Sequence, residues 1–104
     1  MRSVVFEQGS ELTEIGDKAF CGCKSLRSIC LPDKLRKIGN GTFSETGLTE
    51  VQIPAGVQNI EWNAFQECKS LKKVTFAAGS QLREIGQGAF CSTGLTEIMI
   101  SANV

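Results

Sequence analysis

Residues 26–46 read LRSICLPDKLRKIGNGTFSET and residues 48–68 read LTEVQIPAGVQNIEWNAFQEC. Laid over one another, they place Leu26, Ile29, Leu31, Pro32, Leu35, Ile38 and Phe43 against Leu48, Val51, Ile53, Pro54, Val57, Ile60 and Phe65, without a gap. Outward from this pair the same marks continue. Phenylalanine recurs at Phe20, Phe43, Phe65 and Phe90, in steps of 23, 22 and 25 residues, each after Ala19, Thr42, Ala64 or Ala89. Five residues before each stands Ile15, Ile38, Ile60 or Ile85, and three before that Leu12, Leu35, Val57 or Leu82. After each comes Leu26, Leu48, Leu71 or Leu95, opening a pattern L-x-x-[IV]-x-[LIF] that closes on Ile29 and Leu31, Val51 and Ile53, Val74 and Phe76, Ile98 and Ile100. Val4 and Phe6 are the tail of a further copy.

A unit this short cannot bury its own apolar side chains, so copies must stack into a continuous core, and the period predicts a solenoid. The last two apolar positions of the pattern are two apart and share one face of a short strand, with the residues beside them facing solvent. Stacked in parallel, these strands make one main sheet. Gly16, Gly39 and Gly86 suit a tight bend after the isoleucines, and the segment ending in Ala-Phe suits a short helical or 3₁₀ turn with Phe inward. Pro32 and Pro54, directly after strand residues, end pairing there. Superposed on this, C-K-S-L before Leu26 and Leu71 alternates with T-G-L at Leu48 and Leu95, and the spacer after the strand is long in EQGSEL and AAGSQL, short in LPDKL and IPAGV. The true unit is then a pair of repeats.

The string L-x-x-I-x-L-P-x-x-L-x-x-I-G-x-x-A-F-x-x-[CT], read from Leu26 to Thr46 and from Leu48 to Cys68, resembles the BspA-type leucine-rich repeat family along essentially the whole chain. The Leu-Pro or Ile-Pro step, Ile-Gly and Ala-Phe recur at fixed offsets, and the asparagine ladder of more familiar leucine-rich repeats is missing. The resemblance implies a right-handed β/α (β/3₁₀) superhelix of about 4.5 repeats of 22–25 residues, one domain over 1–104 with partial repeats at both ends. It also implies a surface or secreted protein that adheres to host matrix proteins. Thr42 in place of alanine, and Glu61-Trp62 in place of glycine and its neighbour, depart from the pattern.

Composition narrows the function. Leu, Ile, Val and Phe supply 28 of 104 residues, enough for a folded chain. Eleven basic and eleven acidic side chains cancel, so neither nucleic acid nor an anionic membrane is an expected partner. No apolar run is long enough to span a membrane, and the start lacks the apolar region of a signal peptide, so the chain as written is expected to be soluble and unprocessed. Histidine and tyrosine are absent, and no Ser/His, Cys/His or phosphate-loop arrangement occurs, which argues against an enzyme, a metal site or a cofactor.

The candidate recognition surface is the solvent face of the strands. One column reads Ser3, Ser28, Glu50, Lys73, Glu97 and the other Val5, Cys30, Gln52, Thr75, Met99. At about 4.8 Å per strand Lys73 falls between two glutamates. Either these form a self-compensating charge ladder, or Glu50, Gln52, Lys73, Thr75, Glu97 and Met99 form a protein-binding face. Trp62, the single tryptophan, is either an interface anchor or a cover over the place where Glu61 has displaced a glycine. Lys34, Arg36 and Lys37 form the densest basic patch, with Glu14 placed to neutralise Lys37.

Five cysteines leave at least one thiol free. Cys23 and Cys68 fall two coils apart, about 10 Å, too far for a disulfide, and Cys21 and Cys91 lie farther still. Cys23 and Cys68 are expected in the core and Cys30 at the surface. Free thiols fit a reducing compartment, whereas the resemblance points outward; both stay open. Asn40-Gly41-Thr42 fits a glycosylation sequon but equally a turn before Phe43. The function expected is a non-enzymatic protein-interaction module, an adhesin or part of one. The alternative is a scaffold segment that self-associates, a homodimer through exposed solenoid ends.

Overall fold

The computed structural model describes residues 3–6, 9–95 and 97–99. Nine short strands follow one another: β1 (Ser3–Val5), β2 (Glu14–Ile15), β3 (Ser28–Cys30), β4 (Lys37–Ile38), β5 (Glu50–Ile53), β6 (Asn59–Ile60), β7 (Lys73–Phe76), β8 (Glu84–Ile85) and β9 (Glu97–Met99). Odd-numbered strands carry the L-x-x-[IV]-x-[LIF] pattern and even-numbered strands carry the isoleucines, so each repeat lays down one strand on each of two faces. All pairings are parallel and join equivalent residues of successive copies, Val51 to Val74 on one face and Ile15 to Ile38 to Ile60 to Ile85 on the other. The order β2-β4-β6-β8 therefore marks three turns of a solenoid.

The parallel solenoid is the one expected, and two features add to its one main sheet. The isoleucine positions form a second sheet of two-residue strands, and the strand face itself divides into β1-β3 and β5-β7-β9. Between β3 and β5 a backbone bond from Thr49 N to Arg27 O, 3.3 Å, precedes a stretch with no paired register. Pro54 alone does not account for this, because Pro32 stands at the equivalent place after β3, which still pairs with β1. One coil on from Pro54, Ala77 N donates to Ile53 O at 3.0 Å; Pro54 has no N–H to offer the coil before it.

The third face holds no helix among the described residues, contrary to the helical or 3₁₀ turn expected. Its amides alternate. Ala19, Cys21 and Cys23 donate three residues back within their coil, while Lys18, Phe20 and Gly22 donate to Asn40, Thr42 and Ser44 of the next. The next two coils repeat this at residues 41–46 and 63–68. Half the donors are thus committed to the neighbouring coil, and a helix cannot propagate. Left-handed backbone at Lys18, Gly41, Asn63 and Gly88, and again at Gly22, Glu45, Glu67 and Ser92, sets this geometry.

Glycine after isoleucine therefore has a different role from the bend expected. The left-handed residue stands two positions later, and Gly39 and Gly86 are required by close approach. A Cβ on Gly39 would lie 2.7 Å from Ile15 O, and one on Gly86 2.5 Å from Trp62 N. The alternation of C-K-S-L with T-G-L has the same origin. The T-G-L coil is one residue shorter from Phe to Leu and runs tightly beneath its longer neighbour: a Cβ on Gly47 would collide with Lys24 O, and one on Gly94 would lie 2.5 Å from Lys69 O. Thr42, in place of the usual alanine, is fully buried with its hydroxyl 2.8 Å from Gly39 O and 3.0 Å from Gly16 O, tying two coils together.

Inside, the repeat builds columns. Phe20, Phe43, Phe65 and Phe90 stack with ring centroids 5.5, 5.2 and 5.3 Å apart and nearly parallel planes, one ring per coil. Phe43 and Phe65 are fully buried, as are Leu26, Leu48 and Leu71, Leu35 and Val57, and Ile38 and Ile60. Each such side chain contributes about 1.5–3 kcal/mol of burial. Leu12 and Ile85, the outermost described members of their columns, stay 38% and 40% exposed.

Candidate functional site

The strand face places the expected columns side by side. Glu50 pairs in register with Lys73 and Lys73 with Glu97; Gln52 pairs with Thr75 and Thr75 with Met99. Glu50 and Gln52 are exposed, Lys73 and Thr75 half-buried, and the side chains of Glu97 and Met99 lie outside the described residues, as does Ile100. Ser3 and Val5 pair with Ser28 and Cys30 on the other part of the face. The charge ladder is not closed where it can be seen. Although Glu50 and Lys73 are register partners, the ion pair found among the described residues is elsewhere, Lys34 Nζ to Glu11 Oε1 at 3.5 Å. Two opposite charges thus stand next to each other on the surface without locking together.

The interruption between β3 and β5 shapes this face. Ile29 occupies the position of Val51 and Val74, which are 3% and 0% exposed, yet Ile29 is only half-buried. It borders two adjoining hollows. One, about 450 Å³, is lined by Leu31, Pro54, Ala55 and Ala77 together with Cys30 and Asp33. The other, about 400 Å³, is bordered by Ser28, Glu50, Lys73 and Thr75. Gln52 lines both, so they form one trough along the strand direction, apolar at the end where the strands finish and charged where they start. Its charged half contains Glu50, Gln52, Lys73 and Thr75 of the expected columns, whereas its apolar half was not anticipated from the sequence.

Trp62 lies on the turn face, 61% exposed. Its backbone N and indole Cδ1 occupy the space that a Cβ on Gly86 of the following coil would need. The basic patch is neutralised differently from expectation. Lys34 pairs with Glu11, whereas Lys37 and Glu14 are register partners without an ion pair.

All five cysteines are unpaired: Cys21, Cys30 and Cys91 exposed, Cys23 half-buried and Cys68 buried. Cys68 Sγ lies 2.9 Å from Phe43 O and 3.3 Å from Thr46 Oγ1. Burial pushes this thiol above its ordinary range, partly offset by the Thr46 hydrogen bond. Among the described residues no group of three or more Cys, Asp or Glu is placed to hold a metal ion.

A parallel solenoid of this repeat length, with hydrophobic columns inside and an open strand face, belongs to the leucine-rich class of repeat proteins. The family profile "BspA type Leucine rich repeat region" matches residues 1–104 in six copies, and the chain belongs to that family. A comparison with curated proteins finds no significant match. Among solved structures, the chain is similar to a leucine-rich repeat protein from Bacteroides ovatus ATCC 8483, determined at 1.19 Å, with 22% identity and a TM-score of 0.53. The match covers 88% of this chain and 34% of that one, so the chain spans about a third of its neighbour's length. The likeness is one of fold. Family membership supports a protein-interaction repeat module.

Proposed function

We propose that the chain acts as an adhesive module, binding an extracellular matrix protein through the strand face formed by Glu50, Gln52, Lys73, Thr75, Glu97 and Met99. The observation that carries this reading is the state of Glu50 and Lys73, paired in register but joined by no ion pair. Charges already locked together would have to be separated before meeting a partner; these two are available to one. Gln52 and Thr75 beside them supply hydrogen-bonding groups that tolerate solvent in the free state. Trp62 offers a separate anchor on the turn face, since a largely exposed indole gains most from being covered.

The test is binding of the reduced protein to immobilised fibronectin and fibrinogen at physiological salt. A Glu50→Lys/Lys73→Glu/Glu97→Lys variant reverses the charges of one column at nearly constant size, and Trp62→Ala probes the other face. The proposal expects binding that the triple variant loses while remaining folded. Absence of binding by the unaltered chain rejects the matrix ligand, and loss confined to Trp62→Ala moves the contact to the turn face.

A further inference from the structure

We propose that the turn face around Trp62 binds a neutral hexopyranose, with the apolar face of the sugar stacked on the indole and its hydroxyls held by Gln87 and Asn63. The site lies on the turn face, so it stands or falls apart from the strand-face reading.

Three observations define the ligand. The first is a fixed platform. Trp62 is 61% exposed, yet its Cδ1 lies 2.6 Å from the place that a Cβ on Gly86 would take, so the pyrrole edge of the ring rests on the backbone of the next coil. Only a glycine at position 86 leaves that room. An exposed ring already held by backbone loses little freedom when a ligand covers it.

The second is an open donor. Counted from the preceding isoleucines, Trp62 and Gln87 stand where Asp17 and Asn40 stand two coils earlier. There Asp17 Oδ1 accepts the Asn40 amide at 2.9 Å. An indole cannot accept such a bond, and the backbone amide of Gln87 has no partner among the described residues.

The third is the rim. The Gln87 side chain is exposed, and Asn63, on left-handed backbone, leans onto Gly88 of the next coil, its Oδ1 occupying the space of a Cβ there. Neither side-chain amide makes a hydrogen bond among the described residues. A planar amide both donates and accepts, as a pair of neighbouring sugar hydroxyls does. The weakly positive C–H groups on one face of a pyranose match the negative face of the indole. Glu61, beside Trp62 in the chain, repels a carboxylate, which favours a neutral sugar over an acidic one.

Trp62 is the single tryptophan and the chain has no tyrosine, so tryptophan emission reports this site alone. The test is a fluorescence titration of the intact reduced chain with the methyl glycosides of galactose, glucose, mannose and N-acetylglucosamine. The expected outcome is a saturable change with at least one of them, at a dissociation constant of about 1 mM. Gln87→Ala keeps the indole, and Asn63→Gly keeps the left-handed backbone; each should weaken binding about fivefold. Trp62→Ala, followed by saturation-transfer NMR of the sugar, should lose it. Circular dichroism checks the fold of all three variants. The same titration with N-glycans released from fibronectin and with soluble polysaccharides tells a glycoprotein glycan from a polysaccharide as the source of the sugar. No saturable change with any sugar up to about 50 mM, unweakened binding in both amide variants, or saturation transfer retained in folded Trp62→Ala overturns the proposal. So does a blue shift that grows with protein concentration in the absence of sugar, since a second copy would then cover the indole.

Discussion

Single residues show how closely successive coils approach. Gly47 and Gly94 sit where a Cβ would run into the carbonyl oxygens of Lys24 and Lys69, and Gly86 where it would meet Trp62. These obstacles are backbone, which cannot rotate aside. Gly47→Ala and Gly86→Ala should each cost about 1–3 kcal/mol, read as a lower urea midpoint, whereas Gly9→Asn in open space should cost far less. A midpoint unchanged by Gly47→Ala would mean the coils are farther apart than described. Cys68 makes a pH prediction. Its thiol is held above its usual range by burial, so as pH rises past 9 the unfolded chain ionises before the folded one and stability falls. Denaturation between pH 7 and 10 should show that decline, reduced in Cys68→Ala. In a thiol-labelling time course, Cys21, Cys30 and Cys91 should react first, Cys23 more slowly and Cys68 only on unfolding.

At the scale of elements, the odd-numbered strands were legible because their apolar residues alternate at period two, and the Phe positions because they recur. The second sheet was not. Its strands are two residues long, as in Lys37–Ile38, and two residues display no period. The turn segments were misread for a related reason: Ala-Phe after a glycine resembles the start of a helical turn, and only the amides shared with the next coil rule one out. The outward columns containing Glu50, Lys73, Gln52 and Thr75 followed directly from the strand assignment, but the trough did not. Ile29 is indistinguishable in sequence from Val51 and Val74, and its partial exposure depends on a missing pairing between strands. Pro54→Ala tests that cause. If the absent donor helps keep β3 and β5 out of register, the amide introduced at position 54 should become protected against hydrogen exchange as it bonds the Leu31 carbonyl. Fast exchange at that amide would show the gap to have another origin.

Across the whole molecule, stability comes from repetition: each coil covers the next, and the stacked Phe43 and Phe65 are enclosed on both sides. Phe65→Ala should therefore cost about 3–5 kcal/mol in urea denaturation, and Phe90→Ala, at a half-buried position, clearly less. Equal losses would argue against a core graded along the solenoid. Among the described residues, repetition lapses on the strand face between β3 and β5, where no register pairs the two strands. The most direct measurement is the hydrogen-exchange rate of the Gln52 amide against that of Thr75, its register partner one coil on. With the strand face open between β3 and β5, the Gln52 amide should exchange far faster than the Thr75 amide, which the β5–β7 pairing protects. Equal, strong protection at both would show a continuous sheet and contradict the account.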